Sequence, residues 1–178
     1  MSLGLFSGLV QLATPDPAWA AAFAAERTRL IAAVGPLPLA LEHIGSTAVP
    51  GLPAKPILDV LGGHPPGADP MAYVAAFQAA AFTYRGEYGI PGRHYFVRDD
   101  AVGRRTHHLH LVTEGGALWR SHLAFRDYLR QHPARVAEYA ALKSALAARF
   151  PSDRAAYTEG KAAFIAETLR IAAACPDA

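Results

Sequence analysis

Cysteine is nearly missing. Cys175 is the single one in 178 residues, so no internal disulfide can form and no four-cysteine zinc site exists. Charge is also scarce, at 18 % of residues, and 17 Lys and Arg against 15 Asp and Glu leave a formal +2 at neutral pH. So small an excess speaks against broad capture of a nucleic-acid backbone, although local basic positions can still hold a small phosphorylated ligand. No run approaches the ~20 apolar residues of a membrane-spanning helix. The segment from Met1 to Val10 lacks the basic stretch that opens a secretory signal. A soluble, cytoplasmic protein without a membrane partner is expected. The 15 glycines show no triplet period, which excludes a collagen-like chain.

Apolar residues are plentiful, at 52 %, and the length suits one hydrophobic core, so a single domain over residues 1–178 is expected. Leu9 to Ala13 reads as a first strand. Asp16 and Pro17 then suit the start of a helix that carries Trp19, Phe23, Leu30 and Val34 and stops at Gly35-Pro36. Leu37 to Ile44 reads as a strand, Gly45 to Pro56 as a Gly- and Pro-rich loop, and Ile57 to Leu61 as a buried strand. Gly62 to Asp69 reads as a loop and Pro70 to Ala80 as a helix. Three strands follow, Phe82 to Arg85, Arg93 to Arg98 and Thr106 to Thr113, joined by short turns. The remainder is helical: Leu118 to Gln131, Pro133 to Arg149, and a last helix capped by Ser152 that runs to about Ala173. The expected fold is α/β in the α+β sense, a mixed sheet with packed helices and a helical C-terminal third.

Three segments hold candidate chemistry. In the first, a Gly45-Ser46 pair directly after a strand lets backbone N–H groups approach an anion, Ser46 and Thr47 add hydroxyls, and Lys55 adds a charge. Asp59 stands alone in an apolar run, where a carboxylate requires hydrogen bonds or a metal. The plainer reading is a structural loop with Asp59 bonded to backbone amides. In the second, Thr106-His107-His108-Leu109-His110 puts His108 and His110 on one strand face, where two imidazoles can ligate a borderline metal or simply line a polar face. His43 can join either arrangement. In the third, Arg85 and Arg93 flank a turn with three glycines and can clamp phosphate or carboxylate, or serve solubility. Near the C-terminus, Tyr157 and Lys161 share a helix face, and Gly160 between them implies close packing.

Several of these segments resemble one family. Glu42-His43-Ile44-Gly45-Ser46-Thr47, Val49-Pro50-Gly51-Leu52, Lys55-Pro56-Ile57-Leu58-Asp59, Arg105-Thr106-His107-His108-Leu109-His110, Phe125-Arg126-Asp127-Tyr128-Leu129 and Tyr157-Thr158-Glu159-Gly160-Lys161 are similar to the motifs of GrpB-like proteins, in order, from about Thr14 to Arg170. The resemblance implies a nucleotidyltransferase-like fold. In that superfamily a Gly-Ser turn precedes an Asp-x-Asp/Glu pair, and the acids bind two divalent metals. Gly45, Ser46 and Asp59 match. Leu61 stands where the second acid belongs, and no acid lies within Thr106 to Val112. A similar domain fused to dephospho-coenzyme A kinase in some bacteria implies a nucleotide-related or accessory role.

The expected activity is therefore binding of a nucleotide or other phosphorylated small molecule, with metal-dependent nucleotidyl transfer as its catalytic form. Gly45, Ser46, Thr47, Lys55, Arg93 and Lys161 would hold the substrate, and Asp59 would be catalytic. Asp59, His108 and His110 would bind a divalent metal of the Zn²⁺, Mn²⁺, Ni²⁺ or Fe²⁺ type, since one carboxylate cannot build the oxygen-rich site Mg²⁺ prefers. The alternatives are a non-catalytic nucleotide-binding module and a single-metal hydrolase.

Overall fold

The computed structural model describes residues 3–174, and Cys175 lies outside them. The centre is a six-stranded mixed sheet built from β1 (Leu5–Phe6), β2 (Ala40–Ile44), β3 (Leu58–His64), β4 (Thr83–Tyr84), β5 (His94–Asp99) and β6 (Arg104–Thr113). The order is β2-β3-β6-β5-β4, with β1 adding a short pairing to the start of β6. Of the pairs, β3 with β6 is parallel and the others are antiparallel. The run from β4 to β6 is the expected meander.

Alternation along the strands sends side chains to two layers. One face carries Leu41, Val60, Phe96, Leu109 and Leu111. It packs beneath α1 (Ala18–Val34) and α2 (Val74–Ala79) through Leu30, Val34 and Phe77. Asp16 starts α1 by accepting the Ala18 N–H at 2.9 Å, and Gly35, at φ 60°, ends it. The opposite face carries Ile44, Asp59, Leu61, His108 and His110. It lies beneath α3 (Ala117–Gln131), α4 (Pro133–Arg149), α5 (Arg154–Glu159) and α6 (Ala162–Ala174).

Four sequence expectations shift. Leu9 to Ala13 is not a strand: only Ala13 bridges, to Ala54, and the first strand is Leu5–Phe6. The strand at 57–61 continues through Gly62, Gly63 and His64, which pair with Leu111, Val112 and Thr113. Glycine marks close packing there, because a Cβ on Gly63 would stand 2.6 Å from the Trp119 ring. The final helix is two helices broken after Glu159, and Asp153 rather than Ser152 caps the first by accepting from the Ala156 N–H at 2.9 Å. Gly160 sits at the break, where a Cβ would press on Leu146 of α4 at 2.5 Å. The close packing implied for Gly160 is thus against α4.

Candidate functional site

Parallel pairing of β3 with β6 puts Asp59 directly opposite His108, and Leu61 opposite His110. His108 donates its Nδ1–H to Asp59 Oδ1 at 2.8 Å, and His110 Nε2 lies 3.9 Å from the same oxygen. Burial by itself would raise the Asp59 carboxyl. Hydrogen bonds and charge from His108 and His110 together outweigh it and hold the group well below the usual carboxylate range. Burial lowers His108, opposed by its hydrogen bond to Asp59. Each imidazole keeps a second buried nitrogen, Nε2 of His108 and Nδ1 of His110, with no hydrogen-bond partner.

The Gly-Ser bend closes on this acid. Gly45 has φ 68°, and a Cβ at that position would collide with Asp59 Oδ2 and lie 2.9 Å from its Cβ. Only glycine combines that backbone conformation with so close an approach. Ser46, Thr47 and Ala48 then form a single 3₁₀ turn whose first two residues line the cleft beside Asp59.

The cleft has a volume of about 380 Å³. Ser46, Thr47, Lys55, Asp59, Arg93, His108, His110 and Lys161 all line it, so residues from six separate segments converge. Lys143 of α4, Arg154 of α5, Tyr88 and Tyr95 also face it and were not singled out from sequence. Lys143 had a readable signal. It lies four residues after Tyr139 and three before Leu146, both buried, so it sits within the apolar stripe of its helix. Arg154 had none, since it opens a short helix like any surface arginine. Two expected participants are elsewhere. His43 stacks on Phe23 with ring centroids 4.7 Å apart, bonds Thr47 Oγ1 at 2.9 Å, and lines a separate cavity. Arg85 borders another small cavity.

Five cations therefore surround one carboxylate, and that carboxylate is engaged by histidines. Burial lowers Lys143 to about 7 and Lys161 to about 8, with neighbouring lysines pushing the same way. Lys55 is lowered by burial and then by Arg154. Lys143 Nζ donates to the Pro53 carbonyl, and Lys161 Nζ lies 4.5 Å from the Tyr157 ring centre. Arg93 lies over Tyr95 at 4.9 Å and is anchored by the Glu87 and Tyr88 carbonyls. Buried or half-buried cations, several held by carbonyls and rings, give the cleft a positive lining that an anion would relieve.

A metal does not fit as well. Among the described residues no group of three or more His, Cys, Asp or Glu side chains is disposed to hold an ion. Asp59 accepts from the His108 imidazole while His110 stands 3.9 Å away, and Leu61 supplies no second acid. The three side chains expected to hold a metal do stand together, with His108 hydrogen-bonded to Asp59 and His110 beside it.

The matched family model is that of the GrpB protein, over residues 9–170. The chain belongs to the GrpB family. A UPF0157 protein of Pseudomonas aeruginosa is 43 % identical over 162 residues, covering 90 % of this chain and 66 % of the relative, so the chain spans just under two thirds of that protein. The glutamate-rich protein GrpB of Alkalihalophilus pseudofirmus is 33 % identical across 94 % of this chain and 98 % of its own. The crystal structure of the conserved protein GrpB from Enterococcus faecalis superposes with a TM-score of 0.82 at 35 % identity, covering 91 % and 96 % of the two chains. A dephospho-CoA kinase of Mycolicibacterium paratuberculosis matches more distantly, at 28 % identity, with this chain spanning 45 % of it. No helix among the described residues of this GrpB-family chain is long and apolar enough to cross a membrane.

Three histidines, the buried His43 and His107 and the half-buried His122, are each lowered by desolvation to about 4. An unfolded chain titrates them near 6.5. Between those values the unfolded state binds protons that the folded state refuses, so stability falls as pH falls from about 6.5 to 4. The melting temperature should drop steadily across that interval in a calorimetric series, and a flat profile would contradict the neutral burial of these rings.

Proposed function

We propose that the cleft binds a phosphorylated small molecule of the nucleotide type. The carrying observation is five cations converging on a cavity whose single carboxylate is occupied by histidines. Phosphate groups would replace the missing counter-charge, and arginine and lysine are the side chains best suited to them. The Gly45-Ser46 bend packed on Asp59 supports the resemblance to nucleotidyltransferases, in which that bend faces phosphate. The distant likeness to a dephospho-CoA kinase agrees with a nucleotide-related role. Asp59 here holds His108 by a hydrogen bond and packs against the bend. Binding should therefore not require a divalent metal.

Isothermal titration with sodium tripolyphosphate, ATP and CTP, each with EDTA and with Mg²⁺ or Mn²⁺, tests this. Binding in EDTA that weakens with salt, and at least tenfold weaker binding by Lys161→Met, is expected. Flat titrations in every condition would dismiss the proposal, and binding that appears only with metal would restore the ion to the site.

A further inference from the structure

A second cavity of about 360 Å³ adjoins the cationic cleft and shares Ser46, Asp59, His110, Thr158 and Lys161 with it. The two adjoin where the Gly-Ser bend, Asp59 and His110 on the sheet face the α5–α6 break. Their chemistry differs. The second chamber is walled by Ile44, Phe125, Tyr139, Ile165 and Leu169, and among the described residues Lys161 at the junction is its only cation. Its rings are fixed by mutual packing: Phe125 meets Tyr139 edge-on at 5.6 Å, and Tyr139 stacks on Phe164 at 4.8 Å. Its polar groups are small or aromatic, namely Ser121 and His122 beyond those shared with the cleft.

We infer that this second chamber receives the planar heteroaromatic base of the ligand whose phosphates occupy the cationic cleft, so that the bond between the two halves lies beside Asp59 and His110. This rests on the phosphate reading above. An aromatic base offers two apolar faces and a polar edge, which Phe125 and Tyr139 on one hand, and Ser121 and His122 on the other, complement. Burial lowers His122 to about 4, so it meets that edge as a neutral donor and acceptor, not as a second phosphate-binding cation. His110, 5.6 Å from His122 between ring centres, leaves Nδ1 buried and unpartnered at the junction. An aliphatic chain would leave these polar groups dry and unsatisfied, which disfavours it.

The experiment compares ATP with tripolyphosphate, a polyanion of similar charge without base or sugar, by titration in EDTA. The wild-type chain should bind ATP at least tenfold more tightly. Leu169→Trp and Ser121→Trp, from two different helices, each fill the chamber and should bring that ratio near one while tripolyphosphate affinity stays within twofold. Ser121→Trp keeps the test open if Leu169→Trp fails to fold. Equal binding of ATP and tripolyphosphate by the wild type, or an unchanged ratio in the folded variants, overturns the base chamber while leaving the phosphate site standing. Hexyl triphosphate binding as tightly as ATP would assign the chamber to an alkyl group and equally overturn it. Absence of binding by every probe removes the phosphate reading and this inference with it.

Discussion

Lys143→Met is expected to raise the melting temperature of the ligand-free protein and to weaken polyphosphate binding at least tenfold. Lys143 is 2 % exposed, and burial brings its ammonium down to about 7. Folding at neutral pH therefore costs about 4–5 kcal/mol in that proton equilibrium, by the usual 1.36 kcal/mol per unit. Methionine fills nearly the same volume without a charge. Its insertion leaves the Pro53 carbonyl without the Nζ donor, a loss of about 1–3 kcal/mol. The balance is a gain of about 2 kcal/mol, or roughly 4–8 °C for a chain of this size. The sign depends on pH. The cost is fully present below pH 7 and fades as pH rises toward 10.5, where the unfolded chain also loses its proton. The gain over wild type should therefore shrink in alkaline buffer. Thermal scans at pH 7 and pH 9.5, with titration of tripolyphosphate at pH 7, measure both arms. Destabilisation at pH 7 with unchanged affinity would make Lys143 a structural tie to Pro53 and nothing more.

Glu26→Ala should cost about 3–5 kcal/mol of folding stability, read as a lower denaturation midpoint with an unchanged slope. Glu26 is 5 % exposed on α1 and ties the helix layer to the sheet. Both its oxygens accept from Arg98 of β5, at 2.9 and 2.8 Å, and both accept from Arg29, at 2.6 and 3.1 Å. Both guanidinium groups also lie over Phe82, at 5.7 Å for Arg29 and 5.0 Å for Arg98. Alanine would strand Arg98, whose side chain is only 18 % exposed, beside the neutral His107 ring. The double substitution of Glu26 and Arg98 to leucine should recover much of the loss, because no charge is then left buried alone. A loss below 1 kcal/mol for the single variant would show that water already screens this pair.

The parts of the fold readable from sequence are those where one local pattern dominates. The α1 helix announces itself by Asp16, its apolar spacing and Gly35-Pro36. The meander announces itself by short polar turns between apolar runs. The misreadings have local causes too. Gly62-Gly63 has the composition of a turn, but its glycines admit Trp119 and Leu111 in the middle of a strand. The last helix keeps its periodicity through Gly160, and the break falls where Leu146 of α4 lies against that glycine. In the site, the bend, the acid and the imidazoles were legible as residue types at suggestive spacings. The pairing of Asp59 with His108 was not, because it is set by the register between strands 49 residues apart. Arg154 was invisible for the same reason: sequence does not say which helix covers which sheet face.

That register has a kinetic consequence. Every antiparallel pair in the meander can zip from its own turn, but joining β3 to β6 closes a loop of more than forty residues, an entropically slow event. A chain that has formed its hairpins and its α4 helix would own Asp59, His108 and Lys143, and would still be unable to grip an anion. Competence to bind should emerge only in the last, slowest phase of refolding, together with the closure of the sheet.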